Sequence, residues 1–81
     1  MRYKKVFVAV LTQFSEEGEV TPLSILWPDG RLYEIDRVLD VRPRASTRVG
    51  GAGLRYTCRI RGRQTYLFRE EDRWFVEAVC S

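Results

Sequence analysis

Turn signals cut this chain at short, regular intervals, and that spacing constrains its fold more than any other feature. The stretches Ser15-Glu16-Glu17-Gly18-Glu19, Pro28-Asp29-Gly30, Arg61-Gly62-Arg63 and Glu70-Glu71-Asp72 concentrate corner-forming residues, and a longer loop, 43–53, carries three glycines in its last four positions. Pro28-Asp29-Gly30 is the strongest corner. Proline pre-sets φ at the first position, and Asp-Gly supplies the positive-φ positions that close a tight hairpin. Between the corners lie six short apolar segments, 6–11, 21–27, 31–42, 54–60, 64–69 and 74–79. Regular turns with no internal repeat predict an antiparallel meander that curls into a small barrel, because closure removes the edges an open sheet leaves for aggregation.

Within these segments the side-chain period is two. In 54–60, Leu54, Tyr56, Cys58 and Ile60 face one way and Arg55, Thr57 and Arg59 the other, which predicts one packed and one solvated face. Leu23, Ile25 and Trp27 share a face, as do Trp74, Val76 and Ala78. Pro22 lies near a strand start, where its missing donor is tolerated. The run 6–11 is apolar on both faces and reads as a covered central strand. Phe75 and Val79 lie opposite the main core face, so the last strand is expected to be covered on both sides, by a second copy of the chain or by the first strand. Segment 31–42 is irregular. Tyr33, Ile35, Leu39 and Val41 alternate but Arg37 breaks the face, which calls for a β-bulge near Arg37 or a single helical turn. The expected fold is all-β: a single domain, 1–81, forming a small antiparallel barrel or strongly curled sheet of five to six strands, SH3-like in general shape.

At 81 residues, 44% hydrophobic and 12% aromatic, the chain suits one domain and is apolar enough for a core. Its basic start is followed by a short apolar run and then by polar, acidic residues, which does not match a signal peptide. No stretch reaches membrane-spanning length, and the cytoplasm is the expected compartment. Cys58 and Cys80 are expected to be reduced thiols there, with a cross-strand bridge as the alternative.

Catalytic and metal chemistries find little support in the residues. There is no histidine, the commonest general base, and no Gly-x-Ser-x-Gly elbow. Gly50-Gly51-Ala52-Gly53 lacks the lysine and hydroxyl of a phosphate-cradling loop. Two cysteines without histidine or a Cys-x-x-Cys pair cannot complete a zinc shell. Glu34, Asp36 and Asp40, with Asp29 in the preceding turn, read as a solvated face, since an acid–base pair needs burial. A low-pKa thiol at Cys58 is the one catalytic route left. Neither a cofactor nor an enzymatic activity is expected.

Charge is the uneven feature. Twelve of the fourteen basic residues are arginine, and residues 41–69 hold eight arginines and no acid, +8 against −5 for the remainder. In one reading Arg55, Arg59 and Arg61 project from one side of the sheet and, with Arg63 and the loop residues Arg44 and Arg48, bind an anionic partner. A nucleic-acid backbone or an acidic protein fits, because arginine's planar fork suits phosphate and carboxylate oxygens. In the other reading the arginines pair across strands with Glu34, Asp36, Asp40, Glu70 and Glu77. The alternative function is a structural homodimer joined through Phe75, Val79 and the first strand, with the arginines solvated and no ligand bound. Most aromatics fall on the core face and none of the outward ones on the arginine-rich segment, which weighs against base-specific reading and leaves backbone binding.

The hairpin Trp27-Pro28-Asp29-Gly30-Arg31-x-Tyr33-x-Ile35-x-x-Val38-Leu39-Asp40 resembles a family of short uncharacterised bacterial β proteins, a domain of unknown function. Tyr56-Thr57-Cys58-Arg59-Ile60, Tyr66-Leu67-Phe68 and Trp74-Phe75-Val76-Glu77 are similar to later parts of the same pattern, so the resemblance covers most of the chain from Thr21 on. It implies a compact bacterial, cytoplasmic β protein and carries no activity with it.

Overall fold

The computed structural model describes residues 2–43 and 53–80. Seven strands, β1 (Arg2–Phe14), β2 (Val20–Leu26), β3 (Leu32–Glu34), β4 (Arg37–Pro43), β5 (Leu54–Ile60), β6 (Arg63–Glu70) and β7 (Arg73–Cys80), form one antiparallel sheet in the order β3-β2-β1-β7-β6-β5-β4. Among the described residues there is no helix, and so none long and apolar enough to cross a membrane.

Connectivity forces this sheet to curl. β3 and β4 are its two edges, yet only Ile35 and Asp36 join them. A flat sheet of this size would hold its edges roughly 29 Å apart, at about 4.8 Å per strand, whereas two linking residues span about 11 Å at most. The sheet must therefore bend until its edges run end to end. The link is bonded to both sides: Ile35 N–H donates to the Leu23 carbonyl of β2 at 2.9 Å, and Asp36 N–H to the Arg59 carbonyl of β5 at 2.8 Å. β1 makes the opposite corner by changing partner midway, residues 2–8 pairing with β7 and 9–14 with β2. The result is a strongly curled antiparallel half-barrel.

The expected all-β, strongly curled antiparallel sheet is thus present, with seven strands in place of five to six and with β1 beside β7 in place of a simple meander. The difference lies mainly in 31–42. No helical turn forms there, and the bulge expected near Arg37 is present two residues on, at Leu39, between Val38 and Asp40. The strand breaks at Ile35–Asp36 because that is where the chain crosses from one edge of the sheet to the other. β1 also runs well beyond the apolar run 6–11.

Two hairpins share one corner design. Gly18 N–H donates to the Ser15 carbonyl at 3.0 Å and Ser15 N–H to that of Glu19 at 2.9 Å; Gly30 N–H and Trp27 N–H repeat the pattern onto Trp27 and Arg31 at 2.9 and 2.8 Å. In each three-residue loop the glycine supplies the left-handed position, φ 85° and 92°. Of the Asp29-Gly30 pair only the glycine takes a positive φ. Asp29 braces the loop instead, its Oδ1 accepting from Arg31 N–H at 2.9 Å.

The inner face buries Ile25, Tyr56, Cys58, Leu67, Trp74 and Val76 together, with Tyr56 tilted against Trp74 at 5.1 Å. The outer face is not uniformly solvated. Phe75 is 1% exposed and Phe68 3%; their rings stack at 5.2 Å, and Phe7 packs edge-on against Phe75 at 5.7 Å. The Lys5 ammonium lies 4.7 Å from the centre of the Phe75 ring and also pairs with Glu70 at 3.2 Å. Phe75 is therefore covered by β1 and β6 of its own chain. Thr57, which alternation places in water, is buried beside this second apolar layer, and Val79 is exposed.

Cys58 is a free thiol with no exposed surface, and burial pushes its pKa up to about 11. That direction is opposite to the one a nucleophilic thiolate requires. The unfolded chain loses this proton first, so the stabilising contribution is complete below about pH 9 and falls as pH rises toward 11. In a Cys80→Ser background, melting temperature should fall over this range more steeply than in the further variant Cys58→Ala, and a thiol probe should label Cys58 only on unfolding. Rapid labelling of the folded chain would contradict this.

Candidate anion-binding face and interstrand cleft

Register, more than sequence proximity, arranges the arginines. On the outer face of β4 and β5, Arg37 stands directly opposite Arg59 and Arg42 directly opposite Arg55, with Asp40 opposite Thr57 between them. The bulge at Leu39 makes this possible. By inserting one residue into β4 it turns Arg37, Asp40 and Arg42 to the same side although their numbers do not alternate evenly.

Like charges directly opposite each other destabilise a sheet, and little here offsets them. Arg42 Nε lies 2.8 Å from Asp40 Oδ2. The other ion pairs among the described residues are Lys5–Glu70 at 3.2 Å, Arg31–Asp29 at 3.5 Å and Arg69–Asp72 at 3.6 Å; Arg37, Arg55, Arg59, Arg61 and Arg63 take part in none of them. Of the acids expected to neutralise this face, Asp40 is held by Arg42 and Glu70 by Lys5. Arg55 is half-buried, its guanidinium 4.5 Å from the centre of the Tyr66 ring and its Nε enclosed without a hydrogen-bond partner. Tyr66 is 42% exposed, and its Oη accepts from Gln64 Nε2 at 3.3 Å. An outward aromatic thus does fall within the arginine-rich segment, contrary to the sequence expectation. Leu67 takes the core position of β6, and alternation turns Tyr66 out beside Arg55.

Arg61 and Arg63 do not share this face. They belong to the β5–β6 corner, where Arg61 and Gly62 both have positive φ, 51° and 76°, as a two-residue hairpin turn between Ile60 and Arg63 requires. The Arg61 guanidinium lies 4.9 Å from the centre of the Tyr33 ring of β3. Next to this corner opens a cleft of about 770 Å³. Its cause is the shortness of the β6–β7 ladder, which pairs only Phe68 with Phe75, Arg69 with Trp74 and Glu70 with Arg73 before the strands diverge. Thr65 and Tyr66 line the β6 wall, Val76 and Glu77 the β7 wall. Tyr3, Trp27 and Tyr33 add aromatic surface, and Arg61 and Arg63 flank the opening.

The six arginines expected to act together are therefore divided. Arg55 and Arg59 share the β4–β5 face, Arg61 and Arg63 flank the cleft, and Arg44 and Arg48 lie outside the described residues. Sequence reasoning passed over Arg37 and Arg42 as members of the face, and passed over the cleft entirely. The irregular alternation at Arg37 was the available signal for the first; the second had none, because it arises from strand divergence. A scan against protein-family models matches none, and searches of curated proteins and of solved structures likewise return no match.

Proposed function

We propose that this protein is a non-catalytic binding module whose outer β4–β5 face engages an anionic partner, a nucleic-acid backbone in the first instance. The observation that supports it is the double opposition of Arg37 to Arg59 and Arg42 to Arg55. A sheet selected only for stability avoids such pairs, and local rules are broken most often where function requires it. Each guanidinium offers a planar fork that matches two phosphate oxygens. Tyr66 beside Arg55 adds a ring on which a base can stack, a contact tolerant of sequence. Arg44 and Arg48 remain members of the site on sequence grounds. The module is read as cytoplasmic and SH3-like in shape, a likeness that assigns no activity by itself.

The double variant Arg37→Ala/Arg59→Ala separates function from folding. It should weaken binding of a fluorescein-labelled single-stranded oligonucleotide about tenfold or more, because two charge-assisted contacts are lost. Its urea midpoint should stay level or rise, since relieving one like-charge pair is worth about 0.2–1 kcal/mol. Unchanged oligonucleotide affinity would remove the β4–β5 face from the reading, and binding of acidic peptides in its place would make the partner a protein.

A second reading, a homodimer, is favoured by one observation. Ala9, Leu26 and Leu32 form a cross-strand row on the outside of β1, β2 and β3, with Leu32 59% exposed. Phe75 is covered within the chain, whereas this row, like Val79 at 55%, is exposed and left for a second copy. Sedimentation showing a concentration-independent monomer would exclude it.

A further inference from the structure

The cleft between β6 and β7 has walls made of strand backbone. Residues flanking a two-residue corner exchange both ladder bonds, so Glu70 and Arg73 aim their N–H and C=O groups at each other across the Glu71–Asp72 turn. Alternation along β6 then directs the main-chain groups of Phe68, Tyr66 and Gln64 to the same side. Phe68 meets Phe75 there; beyond it the β7 ladder ends. The opposite groups of Arg63, Thr65 and Leu67 go to β5, whose pairing with β6 is complete as far as Arg63. Gln64 and Tyr66 thus turn two donors and two acceptors toward the β7 side, where no strand among the described residues pairs with them, and Tyr66 lines the cleft itself.

We infer that this cleft accepts an extended peptide, which adds as a strand along β6 and places an acidic group near Arg61 and Arg63. The two donors and two acceptors of the β6 edge match an extended main chain, and adjacent strands of a sheet need only about 4.8 Å of separation. In antiparallel pairing with β6 the peptide's C-terminal end lies at the β5–β6 corner. There Arg61 and Arg63, which take part in no ion pair among the described residues, complement an acidic side chain or the terminal carboxylate. Alternate peptide side chains then reach the aromatic surface of Tyr3, Trp27 and Tyr33. The edge of β6 that no described strand pairs beyond Phe68 favours a peptide over a phosphodiester strand. The site shares Tyr66 with the β4–β5 face but none of that face's arginines, and it does not depend on how those arginines are used.

The test is a selection of displayed random octapeptides with free C-termini against the full chain, followed by binding of a synthetic copy of an enriched sequence. Enriched peptides should alternate β-branched or aromatic residues and carry Asp, Glu or the free carboxylate as the required group at the C-terminal end. Affinity should drop about tenfold or more in Arg61→Ala/Arg63→Ala and in Gln64→Pro, and stay unchanged in Arg37→Ala/Arg59→Ala. Gln64→Pro deletes one donor on the side of β6 away from β5 and leaves the β5 ladder its bonds, since proline is tolerated where the missing N–H is outside a ladder. Hydrogen exchange in the wild-type chain gives a second readout, with the Tyr66 amide becoming protected when peptide is bound. No enrichment over the Gln64→Pro chain, undiminished affinity in that variant, or no protection of the Tyr66 amide would each overturn the assignment. An oligonucleotide that protects Tyr66 while acidic peptides do not would overturn it in favour of nucleic acid in the cleft.

Discussion

Replacing Phe75 with alanine is expected to cost roughly 3–5 kcal/mol, the range for deleting a buried aromatic from a well-packed site. A chain of this length has about 4–12 kcal/mol of total stability, at 0.05–0.15 kcal/mol per residue, so the variant should stand at the edge of unfolding. The size of the effect follows from the position of the ring. Phe75 lies on the side of β7 away from the main core, yet is nearly inaccessible, sandwiched between Phe68 and Phe7 with Lys5 over its face. Removing it leaves a cavity that strands pinned on both sides by ladders cannot collapse to fill, and strands Lys5 without its ring. The urea-unfolding loss should be independent of protein concentration, because the covering residues belong to the same chain. A loss below about 1 kcal/mol, or one that appears only on dilution, would show that the outer aromatic layer is not built as described.

Gly53→Ala should be nearly as costly, although Gly53 is exposed and lies just before β5. Its φ is +143°, a region that side chains other than glycine rarely adopt, and a Cβ there would drive into the carbonyl of Arg69 on β6. Backbone strain contributes roughly 1–3 kcal/mol and overpacking against a rigid ladder about as much. The obstacle is main chain in the pairing of Leu54 with Arg69, so it cannot swing aside as a side chain would. Chemical denaturation should report a midpoint shift of that size. Alanine at Gly30, whose added Cβ meets nothing, should cost only its φ strain. Equal losses at the two positions would mean that the close approach at Gly53 is not present.

These effects also mark what can be read from the residues in order. Period-two alternation in β5 correctly placed Tyr56 and Cys58 inside, because it is a local property of an extended chain. The Pro28-Asp29-Gly30 corner was legible as a corner, although only Gly30 of its Asp-Gly pair takes a positive φ. The break at Ile35–Asp36 was not. Nothing in that dipeptide signals a strand end, and it becomes one because the sheet curls and the chain must step from edge to edge. Thr57 failed for the converse reason. Alternation assigned it to solvent, but on the outer face, opposite Asp40 and Tyr66 and flanked along β5 by Arg55 and Arg59, it is buried. The opposed arginines depend on register, which the Leu39 bulge resets, so their spacing in sequence hides their neighbours in space. The cleft depends on where two strands part, a property of twist and closure that no short window of residues carries.

The most direct measurement is the salt dependence of binding. Fluorescence anisotropy of a labelled single-stranded oligonucleotide should be followed over a series of salt concentrations. If the β4–β5 arginines neutralise phosphates, log affinity should fall linearly with log salt at about −0.7 per phosphate, a slope of roughly −2 to −3 for the three or four guanidiniums of that face, and the slope should be shallower in Arg37→Ala/Arg59→Ala. A slope near zero, or no binding at the lowest salt, would mean that these arginines are solvated surface and that the face has no polyanionic partner.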